Sequence, residues 1–150
     1  MGSLNVSGID DLAQALRAMA ARVNAATPMA VMAATATVEA QARTELSRLS
    51  HPPGTPTPSP PGSPPAMITG RLRDSFDILG PTQAGSSTWR AVLGPTAVYA
   101  RVQERGGAAG RGGASILPAR PYLRPAAETA IRSGAVQREF TTAWGRAITG

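Results

Sequence analysis

The chain predicts an α+β fold in which helices at both ends cover a small antiparallel sheet. Three observations carry this. Ile9, Leu12, Leu16, Met19 and Val23 recur at alternating spacings of three and four, the narrow stripe of an amphipathic helix. Thr88 to Leu93 instead alternates Trp89, Ala91 and Leu93 with Thr88, Arg90 and Val92, as a half-buried strand does. After Pro125, a run including Ala126, Ala130, Ile131, Val136, Phe140, Trp144 and Ile148 supplies the apolar side of a closing helix.

The elements follow in order. Ser7, three residues before Asp10, resembles a capping arrangement for the first helix. A second helical stretch starts at Thr27-Pro28, an N-cap followed by proline in the first turn, and carries Val31, Val38, Ala42, Leu46 and Leu49. Proline argues for a bend and the flanking alanines for strong helicity, so one kinked helix and two separate helices both remain open. From Ser50 to Pro65 eight prolines exclude helix and interior strand, which predicts an extended polyproline arm or a disordered tether over 50–66. Thr69 to Phe76 reads as a helical turn capped by Thr69, with Leu72 and Phe76 inward, and a strand starts at Phe76 to Leu79. Gly80 to Ser87 reads as a turn-rich connection leading to the strand from Thr88. Val98 to Glu104 fits a strand or a short helix equally well. Five glycines then predict a second mobile loop over 105–115, and Gly134 weakens the final helix near its middle.

Length and composition set bounds. The 150 residues make room for one domain, 1–150, and with so much of the apolar fraction in alanine its core is thin, so neighbouring subunits are expected to complete the burial. All fifteen basic residues are arginine against nine acids, a net charge of +6, which suits anionic partners or reflects a general replacement of lysine by arginine. The arginines are scattered, with no basic tail and no aromatic interleaving, which argues against a sequence-specific nucleic-acid reader. There is no cysteine, which excludes disulfides, zinc–cysteine sites and thiol catalysis. No leader pattern opens the chain and no apolar stretch is of membrane-spanning length, so an intracellular compartment is expected.

Residue types that could carry chemistry give little support for an enzyme. His51 is the one histidine and has no nearby carboxylate, cysteine or second histidine to complete a metal or acid–base site. Asp74 and Asp77 sit three apart as metal-binding carboxylates can, but pairing with Arg71 and Arg73 accounts for them, and Glu128 pairs in the same way with Arg132. The glycine-rich segment lacks the spacing of a phosphate loop. No cofactor is expected. Tyr99, Arg101, Glu104, Tyr122 and Arg124 are more distinctive: tyrosines and arginines among small residues and prolines serve as contact anchors, and the tyrosines serve equally as a roof over the core.

Three segments, with the glycine-rich insertion as a fourth part between the last two, then carry a resemblance. Met67-Ile68-Thr69-Gly70-Arg71-Leu72-Arg73-Asp74-Ser75-Phe76, Val98-Tyr99-Ala100-Arg101-Val102-Gln103-Glu104-Arg105-Gly106, that insertion, and Pro118-Ala119-Arg120-Pro121-Tyr122-Leu123-Arg124-Pro125-Ala126 occur in that order. In motif and order this stretch resembles the HK97 gp10-like family of tailed-phage neck and tail components. The proline arm, longer and richer in proline than that family's usual linker, is a departure. The resemblance implies a non-enzymatic virion protein forming a homo-oligomeric ring, a hexamer or dodecamer, in the neck that joins the DNA-filled head to the tail. It implies as partners the adjacent connector or stopper and the tail terminator or tail tube proteins, with sequence-blind contact to packaged DNA in the lumen and no membrane. Virion neck and, during assembly, host cytoplasm are the implied locations. The contact residues expected on this basis are Arg71, Arg73, Tyr99, Arg101, Glu104, Arg120, Tyr122 and Arg124. A tail terminator capping the tube and a sequence-nonspecific DNA-binding protein are the alternatives.

Overall fold

The computed structural model describes residues 7–149, so the expected cap formed by the Ser7 side chain lies outside the described residues. The fold is α+β, with N- and C-terminal helices flanking a two-stranded antiparallel sheet. Helix α1, Ser7–Leu46, runs unbroken for 40 residues with Pro28 inside it. One helix forms where two were open.

An interior proline removes the bond to the carbonyl four residues back, here Asn24, at a cost of about 3 kcal/mol. Two indoles brace that weak turn. Trp89 donates Nε1–H to Asn24 Oδ1 at 3.4 Å, and Trp144 donates Nε1–H to Thr27 Oγ1 at 3.1 Å. Thr27 itself donates to the Val23 carbonyl at 2.8 Å. Alanine runs on both sides keep the helix continuous through the proline.

A short helix α2, Arg71–Asp74, leads into strand β1, Phe76–Gly85, paired with β2, Thr88–Pro95. The cap of α2 is Gly70 in a left-handed conformation (φ 76°), not Thr69, whose hydroxyl accepts only a long 3.5 Å bond from the Arg71 amide. The expected connection over 80–87 shrinks to a tight turn, because β1 continues to Gly85. Its composition misleads because the pairing is irregular between Leu79 and Thr82. Gly80 lies there at φ 116°, where a Cβ would come within 2.8 Å of the Arg90 carbonyl, so glycine permits the close approach. In β2, Trp89, Ala91 and Leu93 face inward toward α1 and Arg90 and Val92 face out, as the alternation predicts.

Val98 to Glu104 resolves as helix α3, Ala100–Arg105. The glycine-rich segment is not a featureless loop. It forms a hairpin of β3, Gly107–Ala109, and β4, Ser115–Leu117, joined through a 3₁₀ turn at Arg111–Gly113. The closing helix is two: α4, Leu123–Arg132, and α5, Ala135–Thr149, broken at Gly134 with φ 72°.

Helix α5 lies antiparallel along α1, with Glu139 beside Thr37 and Trp144 beside Thr27. The described core is thin. Of its eight buried apolar residues, Ala30, Ala34, Ala42, Ala100, Ala126 and Ala130 are alanine, and only Leu46 and Tyr122 are large. The stripe at the start of α1 extends past this core: Ile9, Leu12 and Leu16 stay 66%, 60% and 51% exposed. None of the described helices is long and apolar enough to cross a membrane.

The proline segment is tied down rather than a free tether. Its ends meet where Met67 donates to the Leu49 carbonyl at 2.7 Å and the His51 amide donates to Met67 O at 3.1 Å. At its far side the Gly62 amide donates to the Ala119 carbonyl at 2.9 Å, and Ser59 is buried.

Candidate functional site

The segments at 67–76, 98–106 and 118–126 meet in one place, around Tyr122. It is 1% exposed, the largest fully buried side chain among the described residues. The Phe76 ring stands edge-on to it, centroids 6.2 Å apart at 85°. The Tyr122 hydroxyl donates to the carbonyl of buried Ala100 at 3.4 Å. Burial pushes the Tyr122 phenol well above the usual tyrosine range, and the charge of Glu104 pushes in the same direction.

Glu104 explains why the next helix starts where it does. Its carboxylate accepts the amides of Tyr122 at 2.8 Å, Leu123 at 3.0 Å and Arg124 at 3.0 Å. These are unpaired N–H groups at the start of α4, and a negative charge there also suits the helix dipole. The cap thus comes from another element, 18 to 20 residues earlier. Gly106 lets the chain turn directly after α3. It sits at φ 71°, and a Cβ would lie 2.8 Å from the Ala119 amide nitrogen.

Arg120 is buried at 5% exposure, and its Nε donates to the Ser59 carbonyl at 2.8 Å, while its own amide donates to Gln103 O at 2.7 Å. One arginine therefore fastens the proline segment to α3. Arg120→Ala is expected to free that segment: hydrogen exchange at the Gly62 amide should rise about tenfold or more, since a hydrogen bond to a charged group is worth about 1.5–3 kcal/mol. Unchanged protection at Gly62 would show that the fastening lies elsewhere.

The eight expected contact residues thus divide three ways. Arg120 and Tyr122 lie inside the fold, which gives Tyr122 the core role of its two readings. Arg71, Arg73 and half-exposed Tyr99 line a groove of about 320 Å³ beside Leu46, Met67, Ile68 and Leu72. Arg101 and Glu104 border a second hollow with Leu123, and Arg124 is exposed beside it.

The local charge pairs are not those that spacing suggests. Asp74 pairs with Arg73 at 3.0 Å and Arg43 at 3.5 Å rather than with Arg71, Asp77 pairs with no described arginine, and Glu128 pairs with Arg124 at 2.9 Å instead of Arg132. Arg43 was missed in the sequence. It holds Glu39 at 2.7 Å and lies 5.8 Å from the Phe76 ring centroid, linking α1 to the start of β1. The Glu39–Arg43 spacing was a visible signal, but the contact with Phe76 spans elements and leaves no local pattern.

Among the described residues no group of three or more His, Asp or Glu side chains is arranged to hold a metal. Chemically the cluster is a hub that fixes three chain segments and presents arginines and a tyrosine at its rim. Comparison with protein-family models, with curated proteins and with solved structures returns no match to this chain.

Proposed function

We propose that the chain is a non-enzymatic structural subunit of a tailed-phage neck, forming a homo-oligomeric ring that joins the DNA-filled head to the tail. The observation that carries this reading is the convergence of the three segments of the family resemblance on Tyr122: the Phe76 ring stands edge-on to it, Ala100 O accepts from its hydroxyl and the Glu104 carboxylate accepts from its amide.

Two further features support it. An alanine core leaves burial to be completed by neighbours, and closed symmetry multiplies modest surfaces into a stable annulus. Fifteen arginines against nine acids suit either phosphates of DNA in a lumen or acidic faces of the adjoining connector and tail proteins. The ring would act in the virion neck after assembly in the host cytoplasm.

Deletion of the gene followed by particle imaging tests this. Filled heads and separate tails of normal length are expected. Overlong tubes would identify a tail terminator instead, and normally joined particles would end the proposal. Duplex affinity of the isolated chain that falls steeply with salt would favour a DNA-binding protein.

A further inference from the structure

We infer that the hollow beneath the proline segment is a binding site for a phosphate-type oxyanion, held by the Arg120 guanidinium. Arg120 at 5% exposure and Ser59 at 4% are the two buried polar residues among those described. Both line this one hollow, of about 280 Å³. It lies between two limbs of the proline segment, at His51 to Ser59 and at Pro65, and the body of the fold at Gln103 and Arg120.

A buried guanidinium ordinarily has a carboxylate beside it, because a charge taken out of water is costly unless it is compensated. Arg120 takes part in no ion pair among the described residues, and no acidic residue lines the hollow. Glu104, on the neighbouring α3, is committed to the amides that open α4. Of the five N–H donors of the guanidinium, Nε–H is used on the Ser59 carbonyl at 2.8 Å. The four on the terminal nitrogens have no protein acceptor among the described residues. Such a planar fork takes two oxygens of an oxyanion side by side.

The rest of the lining suits the same ligand. Ser59 brings a hydroxyl and His51 a ring N–H, both able to donate. Gln103 Oε1 is buried without a donor. A hydrogen phosphate carries a hydroxyl to give as well as oxygens to accept, whereas an ionised carboxylate only accepts. Position favours a small free ion. Both limbs of the segment wall the hollow, and Arg120 is fixed on two sides, its amide on Gln103 O at 2.7 Å and its Nε on Ser59 O. An oxyanion there bridges Ser59 and His51 of the segment to Arg120 of the body, so its binding fastens the proline segment more tightly. The site neither requires nor excludes the neck role.

Calorimetric titration of the full chain with sodium phosphate, at constant ionic strength, tests this. Saturable binding of about one ion per chain is expected, with sodium acetate about tenfold weaker or worse. Ser59→Ala keeps the carbonyl that accepts Arg120 Nε and removes the hydroxyl alone, so the fold is retained. Its phosphate affinity should fall about tenfold, the effect of one hydrogen bond to a charged group. Arg120→Lys keeps the charge and loses the fork, and saturable binding should disappear. In the parent, phosphate at about ten times its dissociation constant should slow exchange at the Gly62 amide about tenfold. Unchanged affinity in either variant would place the ion elsewhere on this arginine-rich chain. Absence of saturable phosphate binding would leave water as the partner of Arg120, and acetate as tight as phosphate would make this a carboxylate site filled by an acidic side chain. Each of these three results overturns the inference.

Discussion

Tyr122→Ala is expected to lower the unfolding free energy by about 3–5 kcal/mol, the range for removing a large buried aromatic. The upper part of that range applies here. Among the described residues six of the eight buried apolar ones are alanines that cannot move in to fill the space, and Phe76 loses the ring it meets edge-on. Urea unfolding monitored by circular dichroism reads the change, and a loss below about 1 kcal/mol would show that the hub is not the fold's centre. Tyr122→Phe separates packing from hydrogen bonding. It keeps the ring and removes the donor to Ala100 O, so a loss of only about 1 kcal/mol is expected. Under the proposed neck role, failure of Tyr122→Ala to join heads and tails would then report unfolding. A contact role needs rim residues such as Tyr99 or Arg101 for its test.

Glu104→Ala is the second large effect, with an expected loss of about 2–3 kcal/mol. One carboxylate accepts three amides at the start of α4, and bonds to charged groups are worth about 1.5–3 kcal/mol while a simple cap is worth about 1. The three bonds share one side chain, so their energies do not add. Glu104→Gln retains one accepting oxygen and no charge, and roughly half the loss is expected. Exchange at the Leu123 and Arg124 amides should accelerate in Glu104→Ala while amides in the middle of α1 respond only to the global change. Equal stability of Glu104→Ala and the parent would mean that water caps α4 as well as the carboxylate does.

What could be read from the sequence depended on distance along the chain. The alternation around Trp89 gave β2 its inward face because strand periodicity is local. The weak point at Gly134 was visible for the same reason, whereas its full break into two helices was not. Glu104 could be singled out as unusual, but its role as a cap for α4 was hidden, since no spacing rule reaches across a hairpin to another element. Arg120 was expected as a contact on the resemblance, and only the fold brings the Ser59 carbonyl to it. Pro28 was weighed by its local cost alone, whereas the compensating indoles come from β2 and α5. The stripe of Ile9, Leu12 and Leu16 announced a helix correctly. Periodicity says which side is apolar and not whether anything in the same chain covers it.

The proline in α1 makes a lever of the helix. About twenty residues precede it, an arm of roughly 30 Å, so a pivot of only 10° at that point would swing Ile9 by about 5 Å. The chain's two tryptophans grip the fulcrum from opposite elements. Their fluorescence therefore gauges the angle of the arm without any added label. Such a pivot would move the exposed end of the helix while the packed interior keeps its shape.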